Sequence, residues 1–208
     1  MSDRSYEQPR SWPNLALIAG GLLMIPMWVR YTTLHGPTSF DERGHWLGQD
    51  EAFWGGMMAP AMLLIVLGIY GHRTLLKQCG GRIARIGYWL TMIGLGVPAA
   101  VDLAARNVVP PFLMPLAAIG LLFLAAAHRH DPFLPTTCRV ALVVMGTLLS
   151  AAFLMNAIPL ETLDRFQWYR LYGILSNVLF GLGWVVFGAS LARNRATEPH
   201  LATAAEAA

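Results

Sequence analysis

Six long apolar runs punctuate the chain, and the short polar segments between them alternate between rich and poor in positive charge. Stretches free of Asp, Glu, Lys, Arg and His cover residues 11–29, 52–71, 86–101, 107–127, 140–160 and 171–192. Each approaches the roughly 20 residues that a helix needs to cross about 30 Å of hydrocarbon, the stretch 86–101 being the shortest. Lipid offers no partner to backbone N–H and C=O groups, so a spanning run must close its own hydrogen bonds, as a helix does. None of the runs has the every-other-residue alternation of a barrel strand. The predicted fold is therefore all-α, a polytopic six-transmembrane-helix bundle. Residues 11–193 form the membrane domain, preceded by a tail at 1–10 and followed by a loosely ordered tail at 194–208.

Composition agrees, since 55% of the 208 residues are hydrophobic and only 13% are charged, against about 25% charged in an ordinary soluble domain. Lys and Arg favour the cytoplasmic side of short loops. Threading the six runs puts Arg4, Arg10, Arg73, Lys77, Arg82, Arg85, Arg129, Arg139, Arg193 and Arg195 on one side, ten of the fifteen basic residues. Arg30, Arg43, Arg106, Arg165 and Arg170 fall on the other, with seven of the twelve acidic residues. Both termini are thus expected in the cytoplasm, as in a multi-pass protein of a bacterial inner membrane. The net charge of +3 is accounted for by this asymmetry, and no nucleic-acid partner is expected.

The first run could pass for a secretory signal. It is longer than a typical signal core, and residues 28–35 hold no small-x-small cleavage site, so it reads as a retained span. Trp12, Trp28, Trp46, Trp54, Trp89, Trp168 and Trp184 all fall near run ends, where an amphipathic ring prefers the headgroup region. The two cysteines, Cys79 and Cys138, match no zinc or redox spacing and face a reducing compartment, so no disulfide is expected.

Lipid tails are as apolar as leucine, so packing inside a bilayer depends on small residues that let helices approach. Ala16 with Gly20, Gly55 with Ala59, Gly96 with Ala100, and Asn177 with Gly181 each set two low-relief positions on one helix face. They suit bundle packing, or contacts between copies in a homo-oligomer. Pro26, Pro60, Pro98, Pro110, Pro111, Pro115 and Pro159 lie in or near the ends of every run but the last and can bend them.

Polar chemistry gathers on the expected outer side. The loop 31–51 carries His35, Asp41, Glu42, Arg43, His45, Asp50 and Glu51. Topology brings Asp102 and Arg106, and Glu161, Asp164, Arg165 and Arg170, to the same level. Asp102 with Arg106 and Glu161 with Arg165 stand four apart, as helical ion pairs do. One reading is a set of span-end charges reaching water; the other is a shared outward-facing ligand cluster of His35, Asp50, Glu51, Asp102, Arg106, Glu161 and Arg165. Asp102, closest to the hydrocarbon, is its sharpest member. Asp102, Glu51 or Glu161 would serve as acid or base if the cluster were an enzyme acting on a lipid or isoprenoid. His35 and His45 with Asp41 or Asp50 match no metal-ligand spacing, and no run contains a histidine for haem, so no metal or cofactor is expected. His128, Arg129, His130 and Asp131 read as a solvated loop. No charge lies near the middle of any run, and the two halves lack visible similarity, which weighs against a transporter. Asn156 and Asn177 suit a hydrogen bond across the bundle.

The order of features resembles the uncharacterised six-span bacterial membrane proteins of the DRAM-like and FRAG-like type. The shared elements are the polar loop leading into residues 48–71, the third span 87–101 closing on Asp102, Asp164 and Arg165 before the last helix, and its end at Leu191, Ala192 and Arg193. His35, Gly36, Pro37, Thr38 and Ser39 are similar to the polar loop motif of that group, and the residues after them depart from it. The likeness covers most of the chain, by pattern more than by identical motif, and implies a six-helix bundle without implying an activity. The sequence thus points to a non-enzymatic membrane protein that binds a lipid-like or amphipathic ligand, or a partner, through the outer cluster. An outer-leaflet lipid or isoprenoid enzyme and a small transporter are the alternatives.

Overall fold

The computed structural model describes residues 11–34, 56–78, 81–105, 113–157 and 171–206. All elements among them are helical. They are α1 (Trp12–Leu34), α2 (Met58–Gly71), α3 (Arg73–Gln78), α4 (Gly81–Ala105), α5 (Met114–Ala127) and α6 (Thr136–Ala157), then a π-helical turn (Ile174–Leu179) leading into α7 (Phe180–Glu206). Four stretches are long and apolar enough to cross a membrane: Trp12–Val29, Gly81–Ala105, Thr136–Leu154 and Leu171–Asn194. The apolar helices α2 and α5 have 14 residues each, a length of about 21 Å.

The lengths of α4 and α5 differ from their uncharged runs for identifiable reasons. The shortest run, 86–101, lies inside the 25-residue α4, because Arg82 and Arg85 are exposed and extend its first turns without burying charge. The run 107–127 yields a shorter helix: α5 starts at Met114 with Pro115 in its first turn, where a missing N–H costs nothing.

The helices pack in a closed ring. α1 lies on α2, α2 on α4, α4 on α5, α5 on α6, α6 on α7, and α7 returns to α1. Glycines set the separations. A Cβ on Gly20 would stand 2.6 Å from the Ala61 carbonyl oxygen of α2, and one on Gly181 of α7 would stand 2.7 Å from that of Gly21. Consecutive glycines of α1 thus receive different neighbours. On the opposite side of the ring, a Cβ on Gly87 of α4 would stand 2.8 Å from the Gly120 carbonyl oxygen of α5. Of the small pairs read from sequence, Gly20 and Gly181 form helix contacts. Gly96 does not: it faces outward, and the nearest neighbours of a Cβ there would be the Val66 methyls at 3.7 and 3.9 Å.

Large side chains fill the ring's centre. Trp184, Phe180 and Phe187 of α7 meet Leu17, Ile65, Leu121 and Met145 from four other helices, all buried. This corrects the reading of Trp184 as an interfacial residue, since it is 1% exposed. Trp28 is buried too, whereas Trp12 and Trp89 are exposed, as an interfacial ring should be. Trp46, Trp54 and Trp168 lie outside the described residues.

Candidate functional site

At the end where α4 finishes, Asp102 is only 7% exposed. It shares its helix face with the buried Leu95 and Ala99, so it belongs to the bundle interior. The π-helical turn contributes buried polar groups of its own. Ser176 Oγ donates to the Tyr172 carbonyl at 2.8 Å, and Asn177 Nδ2 donates to Ser176 Oγ at 2.8 Å. A π-turn shifts the register of the helix face by part of a residue and is frequent at functional positions. Of the seven residues in the predicted cluster, only Asp102 falls within the described set. His35, Asp50, Glu51, Arg106, Glu161 and Arg165 lie outside it, and so do both predicted ion pairs. Asn177 bonds locally to Ser176; the side chain of Asn156 lies outside the described residues.

The opposite, basic end has a buried polar frame that sequence reasoning missed. His72, the single residue between α2 and α3, is buried, and its Nε2 donates to Asn14 Oδ1 of α1 at 2.8 Å. Its backbone keeps α2 and α3 joined: the N–H donates to the Gly68 and Ile69 carbonyls, and the carbonyl accepts from Leu76 N–H. His128, at the end of α5, is completely buried, which corrects its reading as part of a solvated loop. Its Nδ1 donates to the Leu124 carbonyl at 2.9 Å, while Nε2 lies 3.4 Å from the Leu75 carbonyl of α3 and 3.8 Å from Asp131 Oδ2. Asp131 accepts the Phe133 N–H on its other oxygen at 2.9 Å and is likewise buried, while Arg129 and His130 are exposed as expected. Buried polar groups need partners, and here Asn14 and the Leu75 carbonyl supply them from other helices. His72 and His128 therefore act as two pegs that fix α3 beneath the bundle.

The position of α3 matters because it carries cations to a groove. On the bundle's outer surface, Val66 of α2 and Trp89, Met92, Gly96, Val97 and Ala100 of α4 line an apolar groove of about 810 Å³. At its basic end the Lys77 ammonium lies over the Tyr88 ring at 4.3 Å and over the Trp89 ring at 4.4 Å. On the facing helix the Arg73 guanidinium lies 4.6 Å above the Tyr70 ring. Such contacts hold a cation through the ring's negative face, and Arg73 Nη1 also donates to the Tyr70 carbonyl at 3.5 Å. Gly96 floors the groove because its open side lacks close neighbours. A continuous apolar slot ending in oriented cations can bind a molecule with a long apolar body and a polar head.

No family model, no curated protein and no solved structure matches this chain. The groove and its cations are the functional candidate that the described residues assemble. Part of the signal was present in the sequence: Arg85, Trp89 and Gly96 fall on one face of a helix, and Arg73 and Lys77 are four apart. What the sequence lacks is the pairing of α2 and α3 with α4.

Proposed function

We propose that this chain is a six-span protein of a bacterial inner membrane, with both termini in the cytoplasm, that binds a lipid-like amphiphile without catalysing a reaction on it. The groove between α2 and α4 is the observation that carries this reading. It is apolar along its length, open at its side towards the surrounding medium, and ends in cations held over aromatic rings. The filled centre of the ring favours binding at the surface over passage through the bundle. In this reading α2 and α5 are the two shorter spans, and the likeness to DRAM-like and FRAG-like proteins extends to the six-helix architecture.

Two measurements test the proposal. In a cysteine-free background, a membrane-impermeant reagent added from outside should label Ser39→Cys and miss Gln78→Cys; the reverse pattern would overturn the orientation. In reconstituted protein, lipids brominated on the acyl chain should quench Trp89, isolated as the difference between the chain and its Trp89→Phe variant. Gly96→Phe, whose Cβ meets the Val66 methyls at ordinary contact distance and whose ring would fill the slot, should reduce that quenching. Equal quenching with and without the phenylalanine would remove the groove as the binding site.

A further inference from the structure

We propose that the groove selects an anionic phospholipid, with one acyl chain lying along Gly96 and Ala100 and the phosphate held by Arg73, Lys77 and Arg85. The assignment rests on the groove being a lipid site, as proposed above, and adds the headgroup class.

The two walls follow the same order towards the basic end. On α2, Val66 is followed one turn later by Tyr70, with Arg73 over its ring. On α4, Gly96 is preceded by Trp89, with Lys77 over its ring, and Arg85 stands one turn further out, exposed. Apolar floor, aromatic collar and cation therefore succeed one another on both sides, as do chain, interfacial region and phosphate in a phospholipid leaflet. The dimensions agree: the 11 residue-to-residue steps from Trp89 to Ala100 rise about 16 Å, close to half of a roughly 30 Å hydrocarbon layer.

The charges favour an anion. Arg73 and Lys77 are four apart on α3, so they are neighbours on one face, an arrangement that costs stability when both are positive. The pegs at His72 and His128 hold them there. Among the described residues no carboxylate pairs with Arg73, Lys77 or Arg85; Asp131 is engaged by Phe133 and faces His128. The first turn of α4, at Gly81, adds the positive end of a 25-residue helix. A phosphate bridging these donors would relieve the repulsion, the guanidinium acting as a planar fork and the ammonium as a point charge.

The aromatic rings decide between headgroups. A zwitterionic choline lipid brings its own cation, which would need a carboxylate or an open aromatic face. Arg73 already lies over the Tyr70 ring, and Lys77 over the Tyr88 and Trp89 rings. A headgroup with a net negative charge has no such unmet need.

The test compares brominated phosphatidylglycerol with brominated phosphatidylcholine, each titrated into full-length protein in phosphatidylcholine bilayers, again reading Trp89 by difference from Trp89→Phe. Half-maximal quenching should need roughly 30- to 150-fold less of the anionic lipid, as two or three cations near the surface predict. The double variant Arg73→Gln with Lys77→Gln should lose most of that preference, leaving the share that Arg85 supplies, and Lys77→Arg should keep it. Equal quenching by both lipids, with Gly96→Phe blocking both, would overturn the headgroup assignment and leave the groove in place. An anionic preference that is undiminished in the double glutamine variant would also overturn it. Indifference of both lipids to Gly96→Phe would instead bring down the groove reading itself.

Discussion

Gly120→Ala is expected to destabilise the protein by about 2–3 kcal/mol, while Gly96→Ala leaves it unchanged or makes it more stable by up to about 1 kcal/mol. Both glycines sit inside apolar helices, and helix propensity alone favours alanine at both, so propensity cannot separate them. Their surroundings can. A Cβ on Gly120 would stand 2.5 Å from both the backbone nitrogen and the hydroxyl of Thr91, and 2.7 Å from the Gly87 carbonyl. Neither backbone can yield, and the Thr91 hydroxyl is held by its donation to that carbonyl at 2.8 Å, so α4 and α5 must move apart. Separation forfeits the close contacts that hold helices together where lipid competes equally for apolar surface. At Gly96 the added methyl meets Val66 at ordinary contact distance. Unfolding of the two variants in mixed detergent–SDS micelles measures the difference, and a matching shift in both would show that α4 and α5 are not in backbone contact.

The reach of the sequence is plain from particular residues. The six apolar helices are legible because backbone in hydrocarbon leaves a chain few options, and α1 begins at Trp12, one residue into its run. Counting uncharged residues underestimates α4, since an arginine at a helix end can keep its charge in water while its backbone remains helical. The same count overestimates α5, whose first turn is set by Pro115 rather than by hydropathy. The partners of buried polar groups are harder to read. His72 and Asn14 are 58 positions apart, and His128 and Leu75 are 53 apart, so nothing local distinguishes a peg from a solvated histidine. Asp102 illustrates the intermediate case: its place at a span end is visible in sequence, but its inward face follows only from the ring. The groove depends on which helices become neighbours, and closing the ring decides that.

Trp184→Ala should cost about 3–5 kcal/mol, whereas Trp89→Ala should cost less than about 1 kcal/mol. The two tryptophans read alike in sequence, each near the end of an apolar run, yet one is 1% exposed and the other 50%. Trp184 packs edge-to-face with Phe180 and Phe187, at centroid distances of 5.8 and 5.7 Å, and completes the filled centre of the ring. Removing its indole leaves a void bordered by several helices, which lipid cannot enter and the bundle can only partly close. Removing Trp89 leaves a space that lipid fills directly. Trp184→Phe separates size from polarity at the same position. Among the described residues the Trp184 indole N–H has no hydrogen-bond partner, and a buried unsatisfied donor costs about 1–3 kcal/mol. Phenylalanine removes that cost while giving up volume, so the two effects offset and the change should stay within about 1 kcal/mol. Comparable losses for Trp184→Ala and Trp89→Ala would place both rings at the membrane surface. A loss for Trp184→Phe as large as for Trp184→Ala would mean that the indole N–H is bonded, and that the ring's centre holds a polar group facing it.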